Sequence, residues 1–247
     1  GRFAFLLEDV LQVTVSTGDI TRTTTSAIVI STDPQLRHQN PLARSVASAA
    51  GPGFARTCQE YLKNHRNGLQ VCEVLDTPSG GRLPQLTSHV LHVVVPGAGN
   101  TKDSNDFGKQ RKLLLCTYLN CLKHASEKLR LQSIAFPLVG AGTHSADMCV
   151  HIFFDALLIY LAERTSTCPL HGIHLIVNNP AIARFAAEVL EARLETIMVG
   201  GVDSAMAAAF QDYFGIPDFS RVQTPTPPQS TTERNWFGRP AVKRRRL

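Results

Sequence analysis

Two short segments of the chain have residue types suited to holding a polar or anionic ligand. The first is Gly18-Asp19-Ile20-Thr21. A carboxylate in such a turn accepts a hydrogen bond from an exocyclic amine of the adenine kind. The second is Val139-Gly140-Ala141-Gly142-Thr143-His144. Its two glycines let the backbone approach a ligand closely, and N–H groups in a turn that opens a helix suit a phosphate. Each segment has an ordinary reading as well. Gly18-Asp19 fits a simple turn, and Gly140-x-Gly142-x-x-Ser145 lacks the third glycine of a dinucleotide fingerprint. His144 is expected to be an exposed loop residue without a role. His89 and His92 lie three apart on an expected strand, so they face opposite sides and cannot share a metal. His171 and His174 have the same spacing. Cys116 and Cys121, five apart on an expected helix, share no face and are expected in the core. No metal site and no cofactor are expected.

The elements that must position these loops follow from periodicity. Leu11–Val15, Ser26–Ile30, Leu69–Leu75, His89–Val95, Gln132–Pro137 and Ile173–Val177 are expected strands. Asn40 is an N-cap and Pro41 the first helical residue of a helix with Val46, Ala49 and Ala50 on its apolar face, ended by Gly51-Pro52-Gly53. Further helices are expected over Phe54–Leu62, Lys109–Leu129, Ala146–Glu163, Ala181–Leu194 and Asp203–Phe214. Strands alternating with helices indicate a layered α/β domain. The glycine loop then follows a strand and precedes the helix that starts at Ala146.

Five segments in this order resemble the macrodomain, the ADP-ribose-binding module, across roughly residues 10–195. Val13–Ile20 with Thr21 is similar to the first strand and G-D-I-T motif. Ser26-Ala27-Ile28-Val29 is similar to the D-A-I-V strand. Gly68–Leu75 with Gly80–Pro84 resembles the G-E-A strand and G-x-x-L-P turn, and His89–Pro96 the V-I-H-T-V-G-P strand. Ser133-Ile134-Ala135-Phe136-Pro137 followed by Gly140-Ala141-Gly142 is the most specific likeness, to the S-I-A-F-P strand and diphosphate loop. The resemblance implies a three-layer α/β/α sandwich with a mixed central sheet and a ligand cleft at the strand ends. It implies that Asp19 and Ile20 meet adenine and that the backbone of Val139, Gly140, Ala141, Gly142 and Thr143 cradles the diphosphate. It places Asp33 where the family contacts the distal ribose.

The departures from the family pattern bear on activity. Its N-A-A-N appears here as Ile30-Ser31-Thr32-Asp33, and the loop Gln35–Pro41 has neither glycine nor acid. The expectation is therefore a reader of ADP-ribose or of ADP-ribosylated proteins, without efficient hydrolysis. The alternatives are a divergent ADP-ribosyl-protein hydrolase, with Asp33 as substitute base and with the viral replicase macrodomains as one type, or an interaction module without ligand.

The net charge of +5 belongs to the end of the chain. Residues 221–247 carry seven basic side chains and one acidic one, a net +6, which leaves 18 basic against 19 acidic groups in residues 1–220. A basic, nucleic-acid-hugging fold is excluded by that split. The expected organisation is a macrodomain over 1–200, a helical extension over 201–220 and a disordered basic tail over 221–247. Lys243-Arg244-Arg245-Arg246 is expected to act in nuclear import or as a nucleic-acid patch. Six cysteines without C-x-x-C spacing fit free thiols in a reducing compartment. A nuclear or nucleocytoplasmic, intracellular site is expected. No membrane partner is expected: the apolar run Ile152–Ala162 is short and holds Asp155.

Overall fold

In a computed structural model, residues 2–7, 10–97 and 107–214 are described. The strands are β1 (Arg2–Leu7), β2 (Leu11–Thr17), β3 (Ala27–Thr32), β4 (Leu75–Pro78), β5 (His89–Val94), β6 (Ser133–Phe136) and β7 (Gly172–Val177). The helices are α1 (Pro41–Ala49), α2 (Pro52–Asn64), α3 (Phe107–Lys123), α4 (Ala146–Glu163) and α5 (Pro180–Phe214). One mixed sheet runs in the order β1-β2-β7-β6-β3-β5-β4. The five inner strands are parallel, and β1 and β4 join antiparallel at the edges.

The side-chain period of two builds a core on each face of the sheet. Ala27 and Val29 of β3 pack with Leu91 and Val93 of β5 against α3, α4 and α5. Ile28 and Ile30 pack with Val90 and Val94 against Val46 of α1 and Phe54 and Cys58 of α2. Inner strands covered on both faces must be apolar throughout, which is why β3 and β5 show little alternation. The expected three-layer sandwich is present. No helix among the described residues is long and apolar enough to cross a membrane.

The structure revises several element boundaries. Leu69–Leu75 is not a strand: Cys72 takes a left-handed φ of 70°, and the Gln70–Glu73 turn closes through Glu73 N–H to the Gln70 carbonyl at 3.1 Å. The strand begins at Leu75 and ends at Pro78, on a sheet edge that tolerates proline. Gly51-Pro52-Gly53 ends α1 and also starts α2, with Pro52 in its first turn. α3 closes in a wide turn over His124–Lys128, where the His124 and Lys128 side chains converge on Asp76. The two last expected helices are one helical run with a break at Gly201, φ 77°. Beyond the break Ala205 and Tyr213 rejoin the larger core. β1 had no sequence-based counterpart. The expected disordered tail, residues 221–247, lies outside the described residues.

Candidate functional site

Because the five inner strands are parallel, their carboxyl ends open on one side, where ligands of open α/β sheets bind. A cleft of about 850 Å³ lies there, lined by Gly18 and Asp19 after β2, Thr32 and Asp33 after β3, and Gly140 and Gly142 after β6. That volume suits a nucleotide-sized ligand. Of the sequence-based candidates, Asp19, Ile20, Asp33, Gly140, Ala141, Gly142 and Thr143 line it. Val139 does not: its side chain is in the core, and its carbonyl accepts the Tyr118 hydroxyl at 3.0 Å.

Asp19 caps the short helical turn Ile20–Arg22. Its Oδ1 accepts from the Thr21 amide at 2.9 Å and the Thr21 hydroxyl at 2.7 Å. Those hydrogen bonds, the side-chain one first, hold the carboxyl below its ordinary range. The group is thus an anion with a fixed orientation. Its Oδ2 has the exposed Arg22 guanidinium at 3.9 Å and keeps acceptor capacity toward a ligand amine.

The glycine loop is more committed to itself than its sequence indicates. The amides of Thr143 and His144 both donate to the Gly140 carbonyl at 2.8 Å, and that of Ala141 to the Leu138 carbonyl at 3.3 Å. Among the described residues, the amides of Gly140 and Gly142 donate to no protein group. Both residues line the cleft, so both N–H groups are available to an anion. Gly140 has φ +93°, with the Cys149 sulfur and a Leu114 methyl only 3.2 Å from where a Cβ would sit. A side chain there is opposed by both backbone and space. His144 has a part after all: its Nε2 lies 2.9 Å from the Pro96 carbonyl, which ties the loop to the end of β5. Ser145 then caps α4 by accepting from the Met148 amide at 3.3 Å.

Asp33 is turned toward its own loop. Its Oδ1 accepts from the Gln35 amide at 2.8 Å and from Arg37 Nε at 3.2 Å. Those two contacts occupy one oxygen of the carboxylate. Asn40 fixes the far end of the same loop: its Oδ1 accepts from the Ala43 amide at 2.8 Å, and its Nδ2 donates to the Ser31 carbonyl at 2.7 Å. The sequence identified Asn40 as a cap but not as a cleft residue. Asn40→Ala removes both bonds and should cost about 1–2 kcal/mol of stability in urea unfolding. A cost below a few tenths would mean that the loop does not depend on this side chain.

His89 and His92 do face opposite sides of β5, yet His92 meets partners from elsewhere in the chain. It is fully buried. Its Nδ1 lies 3.1 Å from Nε2 of His38, and its Nε2 lies 2.9 Å from the Thr77 hydroxyl. Burial, with His38 beside it, pushes the His92 imidazole down to about 3, so it is neutral. Cys58 of α2 completes a cluster whose ligand atoms all lie within 4.8 Å of one another. The separations of 20 and 34 positions between its members hid this cluster from sequence spacing.

Comparison with known proteins bears on this geometry. A family model described as Macro domain matches residues 29–150. An uncharacterized protein of Pyrococcus abyssi is 32% identical over 136 residues, which is 53% of this chain and 72% of that protein. A mutant macrodomain of Oceanobacillus iheyensis, solved with ADPR, is similar with a TM-score of 0.68 and 25% identity, over 79% of this chain and 100% of that one. A Trypanosoma brucei macrodomain in complex with ADP-ribose has a TM-score of 0.59 at 20% identity, over 72% of this chain and 68% of its own, a likeness of fold.

Proposed function

The chain belongs to the macrodomain family, and we propose on that premise that its cleft binds ADP-ribose, free or on a modified protein, as a reader without efficient hydrolysis. One observation carries the reading. Folding brings Asp19 and the unpaired amides of Gly140 and Gly142, more than a hundred residues apart in sequence, to the same nucleotide-sized cleft. The carboxylate suits an exocyclic amine, and the amides suit a diphosphate. The near-neutral charge of residues 1–220 agrees with an anion site built from backbone dipoles rather than cations.

The reader assignment rests on Asp33. It is the one acid between β3 and α1, and Arg37 and the Gln35 amide engage it. The other candidate base in that loop, His38, does not line the cleft and meets His92 instead.

Calorimetry with ADP-ribose tests the binding. Saturable heat at a one-to-one ratio is expected; no heat at millimolar ligand would leave a fold retained as an interaction module. Asp19→Ala should weaken binding about 10-fold, the loss of one charge-assisted hydrogen bond. Unchanged affinity would remove the adenine assignment. Release of ADP-ribose from a modified protein, lost in Asp33→Ala, would replace the reader by a hydrolase.

The end of the chain has a separate role in this proposal. Lys243-Arg244-Arg245-Arg246 would engage an import receptor and place the protein in the nucleus, with nucleic acid as the competing partner. A reporter fused to residues 221–247 that stays cytoplasmic would remove the import role.

A further inference from the structure

The cluster beneath the loop Asp33–Asn40 has no part in the ligand chemistry above. His38, Cys58 and His92 do not line the cleft. They come from three elements: the loop itself, α2 and β5. We propose that these three side chains form a zinc-type metal site that ties the cleft loop to the sheet and to α2.

The donor set argues for the class of ion. Two imidazoles and a thiol suit a borderline or soft ion such as Zn²⁺ and do not suit Mg²⁺ or Ca²⁺, which need oxygen. The spacing argues for tetrahedral geometry. With ordinary zinc bond lengths, two nitrogen ligands sit about 3.3 Å apart and a nitrogen and a sulfur about 3.6 Å apart. His38 Nε2 and His92 Nδ1 are already 3.1 Å apart. All three ligand atoms fall within 4.8 Å, so the sulfur needs to move by only about 1 Å.

The surroundings argue for the tautomer. The Thr77 hydroxyl is in reach of the Val90 carbonyl at 3.4 Å and of His92 Nε2 at 2.9 Å. A hydroxyl that donates to the carbonyl accepts from Nε2–H, which leaves the Nδ1 lone pair directed at His38. Metal-bound histidines are oriented by such an outer hydrogen bond. Phe54 packs at 4.9 Å from both rings and shields them.

The backbone gives the loop a reason to need an anchor. Leu36 and His38 are non-glycine residues with φ of 54° and 52°. Such conformations are costly for residues with a Cβ and persist where the surroundings enforce them. Binding is a simple exchange: the Cys58 thiol gives its proton to solvent as the sulfur–metal bond forms, both imidazoles bind as neutral ligands, and water takes the fourth position.

The test uses the full chain after chelator dialysis and Co²⁺ as a visible probe, followed by competition with Zn²⁺. One Co²⁺ per chain with a thiolate-to-metal charge-transfer band is expected, displaced by Zn²⁺. Cys58→Ala should abolish the band, and His38→Gln should weaken Zn²⁺ at least about 10-fold, with both variants retaining the circular dichroism of the parent. His38 is half-buried, so its variant remains informative if Cys58→Ala fails to fold. Tryptic cleavage at the exposed Arg37-His38 bond, identified by fragment mass, should slow several-fold with Zn²⁺. Absence of the band, its persistence in Cys58→Ala, or unchanged Zn²⁺ affinity in His38→Gln would overturn the site. Cleavage indifferent to Zn²⁺ would overturn the tie. None of these readouts depends on ADP-ribose.

Discussion

Replacing Gly142 by valine should abolish ADP-ribose binding and leave the fold intact. A Cβ at this position meets no atom within 4 Å, and the backbone is outside the left-handed region. The fold therefore has neither a steric nor a conformational objection, and stability should stay within about 0.5 kcal/mol of the parent. The cleft does object. Gly142 lines it, and its amide, like that of Gly140, is left without a protein partner among the described residues. A branched side chain on that residue crowds the space an anion must enter to reach either amide. A loss of at least about 100-fold, or roughly 2.7 kcal/mol, is expected by calorimetry. Gly140→Ala cannot give the same separation. Its φ of +93° and the 3.2 Å approaches to Cys149 and Leu114 put part of its cost into the fold. Affinity retained in Gly142→Val, with an unchanged melting temperature, would mean that the diphosphate is not bound by this loop.

The contrast between the two glycines shows where sequence reasoning stopped. Gly-x-Gly after a strand marked the loop, because close approach to a backbone requires small residues. The same pattern did not distinguish the two roles: Gly140 makes the turn and Gly142 leaves the space. That distinction depends on Leu114 of α3 and Cys149 of α4, which are 26 and 9 positions away. The inner strands were legible because burial on both faces leaves an apolar run, as in β5. The Leu69–Leu75 expectation failed because composition does not report the left-handed turn at Cys72. β1 escaped because Arg2–Leu7 is an edge strand whose exposure pattern is irregular. Asp33 lines the cleft, but its hydrogen bonds to Gln35 and Arg37 could not be read from spacing. His92 was correctly placed on the face opposite His89. Its partners, His38 from a loop and Cys58 from a helix, are joined to it only by tertiary packing.

Asp155 poses the same question within the core, and its removal should be the most damaging substitution to stability. In sequence it is a lone acid in the apolar run Ile152–Ala162. In the fold it is 2% exposed on α4, between both halves of α5. Its Oδ1 pairs with Arg193 at 2.8 Å, before the break at Gly201. Its Oδ2 accepts the Tyr213 hydroxyl at 2.7 Å, after the break. Arg111 of α3 lies over the Tyr213 ring at 5.0 Å. Burial and the Asp155 carboxylate push the Tyr213 phenol far up, so it stays a donor. Asp155→Ala takes the carboxylate away from the Arg193 guanidinium and from the Tyr213 hydroxyl together. Breaking a buried pair in this way costs about 3–5 kcal/mol, much of a typical domain's stability. Tyr213→Phe removes one hydrogen bond to a charge and should cost about 1.5–3 kcal/mol. The two substitutions should not add, because both act on one network. Urea unfolding of the three variants measures this. A cost below 1 kcal/mol for Asp155→Ala, or full additivity with Tyr213→Phe, would mean that the segment after Gly201 is held to the domain by its apolar contacts alone.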